Sequence, residues 1–239
     1  MEKRIKADRT PVTATDEAIN KFVVQSFHTD YPHIDLVGEE ESREVVGAEY
    51  RTFCDPVDGT FPFSHGVPTS TFVLSVLKGD TPLLGVIYDP FMNRMWCAEK
   101  DKGAFLNGKR IVVSSHSTLK GARVCMIWWP KSRYNLHDVC EFLMNEGAQW
   151  DYAASIALFG ALNASGESEA TIYPGQTGWE TAAIQLITQE AGGVVTDMFG
   201  NTQTYGPKCE MKGHIASNGK IHDNLVQLVA RAKNFPQRY

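Results

Sequence analysis

Two aspartates three residues apart, Asp55 and Asp58, are the residues of this sequence best suited to chemistry. They lie in the segment Asp55-Pro56-Val57-Asp58-Gly59-Thr60, which follows an apolar stretch of strand type over 50–54. Acids at this spacing across a turn can share one or two hard cations such as Mg²⁺, whose usual ligands are carboxylate and phosphate oxygens. If a helix begins there, the amides of Gly59 and Thr60 would face a phosphate group. The segment therefore predicts a metal-assisted phosphate site.

The same six residues also have a purely structural interpretation, an Asp-Pro turn followed by an Asx-type cap. Pro56 has no N–H to donate, so we expect strand pairing to stop there. Gly59 would allow a tight turn or the close approach of a ligand. Thr60 would either cap a helix or position a water. Other parts of the sequence must decide between the two interpretations.

A third acid, Asp16, stands at the first helix signal of the chain. It follows Thr13 and Thr15 and precedes an amphipathic run. The apolar residues of that run recur at helical spacing and are Ile19, Phe22, Val23 and Phe27. We expect Thr15 or Asp16 to cap this helix, and capping alone would explain Asp16.

Two further acids, Glu39 and Glu180, lie far from the central segment. Glu39 follows a short strand predicted over 34–37, and by itself it is typical of a solvated acidic turn. Glu180 lies in the first turn of a helix predicted over 179–191, where the helix dipole favours an acid. The functional alternative is that Glu180 supplies a third carboxylate to the same ion site.

Two halves of different character must position these acids. The first half, 1–120, predicts an antiparallel meander, which argues against a doubly wound sheet. Its strands after the central segment are predicted over 69–77, 83–88, 94–99, 103–106 and 111–113. The second half, 121–239, alternates strands with helices, and we expect both halves to form one compact unit.

The second half has clear periodic segments. Strands are predicted over 122–128, 170–173, 194–196 and 215–218, and helices over 136–146, 153–165, 179–191 and 222–233. The residues expected to face inward are Val139, Leu143 and Met144 on one helix and Leu225, Leu228 and Val229 on the last.

Composition places the chain among ordinary soluble enzymes. Its 239 residues carry a net charge of -5 with both signs mixed along the sequence, which argues against nucleic-acid binding. No apolar run approaches the roughly 20 residues that cross a bilayer, and we expect no membrane association and no secretion signal. The five dispersed cysteines form no C-x-x-C pair and predict reduced thiols in the cytoplasm.

Taken in order, the motifs resemble those of the inositol monophosphatase family, the lithium-sensitive, Mg²⁺-dependent phosphomonoesterases that include fructose-1,6-bisphosphatase-like and histidinol-phosphatase-like members. The matching segments are Pro11-Val12-Thr13-Ala14-Thr15-Asp16, Gly38-Glu39-Glu40, Asp55 to Thr60 with Phe63, Gly85-Val86-Ile87-Tyr88, Lys102 to Gly108, and Glu190-Ala191-Gly192-Gly193. The resemblance covers nearly the whole chain. It implies an α/β (α+β) fold, a layered αβαβα sandwich of the inositol monophosphatase / sugar phosphatase type, and a homodimer.

The resemblance also implies a role for each candidate residue. The implied metal ligands are Glu39, Asp55, Asp58, Glu180 and the carbonyl oxygen of Val57. The implied catalytic residues, which orient or deprotonate the attacking water, are Asp16, Glu39 and Thr60. The implied substrate-binding residues are Asp58, Gly59, Thr60, Tyr173 and Glu180, with the amides of Gly59 and Thr60 holding the phosphate.

The implied reaction is direct in-line hydrolysis of a phosphate monoester, without a phosphoenzyme intermediate. One Mg²⁺ held by Glu39 and Asp55 would serve the attacking water, and a second held by Asp55, Asp58 and Glu180 would serve the leaving oxygen. We expect Asp58→Asn to abolish activity while leaving the fold intact.

Three features depart from the family pattern. The late motif is Trp-Asp-x-Ala-Ala in the family, whereas Glu180 stands here at the acid position, so we expect weaker binding of the ion it serves. Tyr173 stands where an acid often contacts the inositol ring, which leaves sugar, polyol, histidinol and inositol phosphates open as substrates, with a sugar or polyol phosphate first. Trp128 and Trp129 are further candidates for lining the substrate pocket. The first motif lies near the start of the sequence, so we expect the family's N-terminal helix to be short or absent.

Other classes fit the residues less well. Haloacid-dehalogenase-type phosphatases space their acids at i and i+2, whereas Asp55 and Asp58 are three residues apart. The P-loop pattern of nucleotide triphosphatases does not occur in the sequence. The remaining alternative is a catalytically impaired family member that acts as a metal- or ligand-binding protein, which phosphate release would distinguish from an enzyme.

Overall fold

Two β-sheets carry the two halves of the chain in a computed structural model that describes residues 3–5, 11–128, 132, 134–152 and 154–232. A short antiparallel pair, β1 (Lys3–Ile5) and β2 (Pro11–Thr13), comes first. The first sheet then contains β3 (Asp35–Gly38), β4 (Tyr50–Asp58), β5 (Thr71–Lys78), β6 (Thr81–Asp89), β7 (Arg94–Glu99), β8 (Gly103–Leu106) and β9 (Lys109–Arg110). The second contains β10 (Arg123–Met126), β11 (Gln149–Tyr152), β12 (Ala170–Tyr173), β13 (Val194–Thr196) and β14 (His214–Ser217).

The first sheet follows chain order from β3 to β9. Strands β3 and β4 are parallel, and every later neighbour is antiparallel, so the predicted meander is confirmed. The last strand was predicted over 111–113, whereas the structure has β9 at Lys109–Arg110. The chain pairs with β8 immediately after the turn at Asn107 and Gly108. The parallel pair is important for the site, because the ends of β3 and β4 reach the same edge of the sheet.

The end of β4 differs from the sequence-based expectation. Pairing with β5 does not stop at Pro56 but resumes at Asp58, which lies opposite Thr71. The register shifts between Asp55 and Asp58, so two residues of β4 oppose one residue of β5. Pro56 lies within this bulge, where its missing N–H costs no ladder hydrogen bond. The bulge keeps both aspartates on the strand and changes the direction of their side chains.

The second sheet is mixed, with strand order β11-β10-β12-β14-β13. Strands β10, β11 and β12 are parallel, and β14 runs antiparallel to its two neighbours. The strand β11 was not predicted, and none of its four residues is buried. The helices of the chain are α1 (Ala14–Asp30), α2 (Thr60–Ser64), α3 (His137–Asn145), α4 (Ile156–Ala164), α5 (Thr181–Glu190) and α6 (His222–Arg231).

Helices and sheets alternate in five layers. Helix α1 packs on β3 and β4, while α4 and α5 pack on the other face of the first sheet and also contact the second sheet. Helices α3 and α6 cover the outer face of the second sheet. Helices α4 and α5 are buried on nearly all sides, as expected for a central layer. The predicted αβαβα sandwich is confirmed.

Several details of the helices correct the sequence-based predictions. The cap of α1 is Thr13 rather than Thr15 or Asp16, and Asp16 occupies the third helical position in a capping box with Thr13. Phe22, one of the apolar residues at helical spacing, is 69% exposed, and Met144, predicted to face inward, is 56% exposed. The inward residues of α6 are buried as predicted. Periodicity located these helices, but it could not show which edge of each apolar stripe meets a partner.

Other expectations concern the chain as a whole. All five cysteines are free thiols. In the described part of the chain, no helix precedes α1, and no helix has both the length and the apolar character needed to cross a bilayer. The division into halves at residues 120 and 121 stays a prediction.

Candidate active site

Three carboxylates from both halves of the chain meet between the two sheets. Asp55 and Asp58 come from the end of β4, and Glu180 comes from the residue just before α5. Each offers one oxygen, and these three atoms lie within 4.8 Å of one another. The three residues are only 2%, 5% and 7% exposed. The structure therefore brings together three of the acids that the sequence predicted as metal ligands.

Burial and mutual repulsion disfavour the charged forms of these acids. The pKa of Asp55 lies well above its ordinary value because of burial and the nearby charges of Glu39, Glu180 and Asp58. Burial and the charge of Asp58 likewise raise the pKa of Glu180. Glu180 Oε2 is buried, and it has no hydrogen-bond partner among the described residues. Oxygen ligands gathered in this way suit a hard divalent cation, so the residues present fit Mg²⁺.

Asp58 differs from its neighbours because α4 begins beside it. The Ala157 amide donates a hydrogen bond to Asp58 Oδ2 at 2.8 Å, and the Ile156 amide donates to Oδ1 at 3.3 Å. The hydroxyls of Ser155 and Thr71 also donate to Oδ2. Burial raises the pKa of Asp58 to about 6, and these hydrogen bonds limit the rise. Residues at the start of α4 thus hold the carboxylate that was predicted as a metal ligand.

Sequence reasoning missed Ser155 and Thr71 as parts of this site. Ser155 directly precedes the apolar residues of α4, so the preference of helices for a serine cap was an available signal. The expected helix over 153–165 instead placed Ser155 inside the first turn. Thr71 carries no comparable signal, because its contact with Asp58 depends on the register between β4 and β5.

Glu39 lies beside Asp55 but outside the closest group of carboxylates. Gly38 pairs with Cys54, and the Glu39 amide donates to the Cys54 carbonyl oxygen at 3.1 Å. The parallel pairing of β3 and β4 therefore places Glu39 next to Asp55, whose pKa its charge helps to raise. Its oxygens are not among the three that lie within 4.8 Å of one another.

Thr60, Asp16 and Val57 form a second group of predicted residues. The Thr60 hydroxyl lies 3.2 Å from Asp16 Oδ1 and 3.1 Å from the Val57 carbonyl oxygen, so its single proton has two acceptors. Asp16 Oδ2 accepts from the amide and the hydroxyl of Thr13. Asp16 therefore takes part in the capping box of α1 through one oxygen, and its other oxygen still reaches Thr60.

Gly59 occupies a position that other residues would strain. Its φ of 87° lies in the left-handed region, and a Cβ there would come within 3.1 Å of the Ala154 carbonyl oxygen. Gly59, not Thr60, is the residue that precedes α2, and Thr60 is the first helical residue. The first amides of a helix have no partner within it, which leaves those of α2 available to an anion.

Tyr173 ends β12 beside the carboxylates. The centre of its ring lies 5.7 Å from the centre of the His214 ring. A side chain at position 175 would collide with this ring, because a Cβ there would come within 2.3 Å of it, and Gly175 leaves the space open. Burial and the charges of Glu180 and Asp58 raise the pKa of Tyr173, so its phenol is neutral. Trp128 packs against the outer core of the second sheet, and Trp129 lies outside the described residues.

Comparisons with known proteins agree with the motifs and the fold. The model of the Inositol monophosphatase family matches residues 2–234. A fructose-1,6-bisphosphatase/inositol-1-monophosphatase of Aquifex aeolicus is 29% identical over 223 residues, which are 92% of this chain and 81% of the relative. A histidinol-phosphatase of Mycobacterium tuberculosis is 28% identical over 232 residues, 92% of this chain and 85% of the relative.

A solved structure extends this agreement to three dimensions. An IMPase of Thermotoga maritima, 28% identical in sequence, superposes with a TM-score of 0.86 and covers 96% of this chain and 87% of its own. The resemblance drawn from the motifs is therefore confirmed over nearly the whole chain.

Proposed function

Because the chain belongs to the inositol monophosphatase family, a family of Mg²⁺-dependent phosphatases, we propose that it hydrolyses a small phosphate monoester at the carboxylate cluster between its sheets. Its enzyme class is phosphoric monoester hydrolase. One observation supports the proposed site most strongly: Asp55, Asp58 and Glu180 lie buried with their oxygens within 4.8 Å of one another. Such a group is costly to bury as anions, and a divalent cation removes that cost.

The proposed ligands of Mg²⁺ are Asp55, Asp58, Glu180, Glu39 and the carbonyl oxygen of Val57. A bound Mg²⁺ supplies a coordinated water of lowered pKa and neutralises charge on phosphate oxygens. Glu39 follows β3 beside Asp55, and it lies outside the group in which oxygens of Asp55, Asp58 and Glu180 lie within 4.8 Å of one another. This arrangement supports two neighbouring ion positions that share Asp55, in agreement with the two-metal scheme.

The proposed role of Thr60 is to orient the attacking water and pass on its proton. Its hydroxyl contacts Asp16 Oδ1, and Asp16 is fully buried and held at its other oxygen by Thr13. A proton released from the water would move through Thr60 towards Asp16. The amides of Gly59 and Thr60 would hold the phosphate oxygens at the start of α2.

Tyr173 supports a sugar or polyol phosphate as the substrate. A neutral phenol beside four carboxylates can donate a hydrogen bond to a hydroxyl oxygen of the alcohol half of the ester. The relatives named above act on sugar, inositol or histidinol phosphates by their names, and this range agrees with the proposal without selecting one ester.

The experiment is phosphate release from a panel of monoesters, with Mg²⁺ and with the metal chelated. The panel contains a hexose phosphate, fructose 1,6-bisphosphate, inositol 1-phosphate and histidinol phosphate. We expect metal-dependent release, with the highest kcat/KM for a sugar or polyol phosphate. Mg²⁺ binding without release from any ester, by a folded protein, would support the catalytically impaired binding protein instead.

Asp55→Asn is the best inactive variant for this experiment. Asp55 accepts one backbone amide, that of Val57, whereas Asp58 accepts two amides and two hydroxyls from α4 and β5, so Asp58→Asn changes more than charge. The matched control is Asp197→Asn, because Asp197 is also a buried carboxylate that accepts backbone amides but belongs to a loop after β13. We expect Asp55→Asn to abolish release and Asp197→Asn to keep it.

Two further expectations stay predictions. The homodimer would be tested by light scattering on the purified protein across a range of concentrations. The cytoplasmic location would be tested by fractionating cells that express the full chain.

A further inference from the structure

We propose that Ser155 is a positioning residue that orients Asp58 for metal binding, by holding Oδ2 and leaving Oδ1 to face the ion. This inference rests on the proposed function, since it takes Asp58 as a Mg²⁺ ligand. Ser155 lies 97 residues from Asp58 in sequence and has no assigned role in the site.

The Ser155 hydroxyl lies within hydrogen-bond distance of Asp58 Oδ2, the Leu158 amide and the Thr71 hydroxyl, the last at 3.4 Å. It is fully buried, and its oxygen accepts the Leu158 amide at 3.1 Å as the cap of α4. Its one proton is donated to Asp58 Oδ2. The backbone of Ser155 has the extended φ and ψ of -126° and 112°, which is the usual conformation of a capping residue. A single hydroxyl therefore links the start of α4 to the carboxylate.

The two oxygens of Asp58 are used unequally. Oδ2 accepts from Ser155, from the Ala157 amide and from the Thr71 hydroxyl, whereas the Ile156 amide is the one donor to Oδ1 found in the described residues, at 3.3 Å. A carboxylate oxygen has about two lone-pair sites. Oδ2 is thus saturated, and Oδ1 keeps a lone pair that is free to bind a cation beside Asp55 and Glu180.

The fixed rotation of Asp58 has a consequence for the whole site. Asp58 belongs to the first sheet, whereas Ser155 and α4 belong to the second half of the chain. Without the Ser155 proton, Oδ2 would keep the Ala157 amide and the Thr71 hydroxyl but lose one of its three donors. The carboxylate would then be held less firmly, and metal binding would have to restrict more of its motion. The loss should appear as weaker Mg²⁺ affinity rather than as a loss of the fold.

The test is calorimetric titration of Mg²⁺ into the metal-free wild-type chain and into Ser155→Ala, Ser155→Gly and Ser155→Thr. We expect about tenfold weaker binding by Ser155→Ala, the effect of losing one hydrogen bond to a charged group. Ser155→Thr keeps the hydroxyl and should bind within about twofold of wild type. Glycine caps helices nearly as well as serine, so Ser155→Gly should fold and bind as weakly as Ser155→Ala even if the alanine variant does not fold.

Ser165→Ala is the matched control at the other end of α4. The Ser165 hydroxyl accepts from the Trp96 indole N–H at 2.8 Å and donates to the Ala161 carbonyl oxygen at 2.9 Å, far from the acids. We expect urea unfolding to show lower stability for this variant, and calorimetry to show wild-type Mg²⁺ affinity. At saturating Mg²⁺, Ser155→Ala should recover phosphate release with the KM for the ester unchanged.

The outcomes separate this inference from the proposed function. Wild-type Mg²⁺ affinity in Ser155→Ala or Ser155→Gly would overturn the inference alone. Equal losses of affinity in Ser155→Ala and Ser165→Ala would also overturn it, because general destabilisation of α4 would then be the cause. Absence of Mg²⁺ binding by the wild-type chain would overturn the proposed metal site and this inference with it.

Discussion

Replacing Asp58 by Asn should change how the stability of the metal-free protein depends on pH. Burial raises the pKa of Asp58 from 3.8 to about 6 in the folded protein. Between these values the folded state holds a proton that the unfolded state has released, so the free energy of unfolding decreases as pH rises. The variant lacks this titrating group and should lack this part of the decrease.

The size of the effect follows from the two pKa values. A difference of about 2 between the folded and unfolded pKa corresponds to about 3 kcal/mol of lost stability once the pH is well above 6. About half of this loss should develop between pH 5 and pH 7.5. Asp58 also raises the pKa of Asp55 and Glu180, and removing its charge lowers both, which adds to the effect in the same direction.

The assay is urea unfolding of wild type and Asp58→Asn in a chelating buffer from pH 5 to pH 7.5. The absolute stability of the variant also includes lost hydrogen bonds with α4, so the measured quantity is the change with pH of the difference between the two proteins. We expect wild type to lose about 1.5 kcal/mol relative to the variant over this range.

Two results would contradict this reasoning. A difference that stays constant or grows in favour of wild type with rising pH would show that the donors of α4 and Thr71 offset burial completely. An unchanged pH dependence of wild type on adding Mg²⁺ would show that no cation neutralises these acids, because binding to the folded state should restore the stability lost at neutral pH.

Three further substitutions test two other residues of the site and one contact of β4 outside it. Thr60→Ala should lower kcat by about 10²-fold or more in phosphate-release assays, because it removes the hydroxyl that contacts Asp16, and its Mg²⁺ affinity in calorimetry should be unchanged. Thr60→Ser keeps the hydroxyl and should keep most of the activity. Glu180→Gln should raise the stability of the metal-free protein at pH 7 by about 1 kcal/mol in urea unfolding, because an acid disfavoured by burial and by the charge of Asp58 is removed. The same variant should bind Mg²⁺ at least about tenfold more weakly in calorimetry, because it lacks one carboxylate of the cluster. Arg51→Ala should cost about 1–3 kcal/mol in the same unfolding assay, because the guanidinium donates to the Gly206 carbonyl oxygen at 2.8 Å, and Arg51→Lys should cost less.

The sequence was most informative where local pattern and turn chemistry coincide. The strands β7, β8, β12 and β13 have the predicted bounds, because alternating or apolar runs are bounded there by turn residues. The motif at the end of β4 placed Asp55 and Asp58 in the site, since both residues lie on one short strand segment. A resemblance spanning several motifs then predicted that Glu39 and Glu180 lie near them.

The sequence was least informative about contacts between distant segments. The four donors to Asp58 come from β5 and α4, and no spacing rule joins residue 58 to residues 155–157. The bulge at Pro56 was missed because a proline ends a regular ladder, whereas an irregular register can accommodate it. The exposed side of Phe22 shows the same limit, since helical spacing does not specify the partner of each face.

The position of Glu180 explains how an acid one methylene longer than the family residue can still reach the cluster. Glu180 directly precedes α5, has helical φ and ψ of -85° and -31°, and makes no side-chain bond to the first amides of its own helix. Side-chain capping requires extended φ and ψ at the capping residue, which Glu180 does not have. Glutamate is not among the preferred caps, so its carboxylate is free to extend towards Asp55 and Asp58. The longer side chain is therefore compatible with metal binding at this site, because no capping bond to α5 holds its carboxylate away from Asp55 and Asp58.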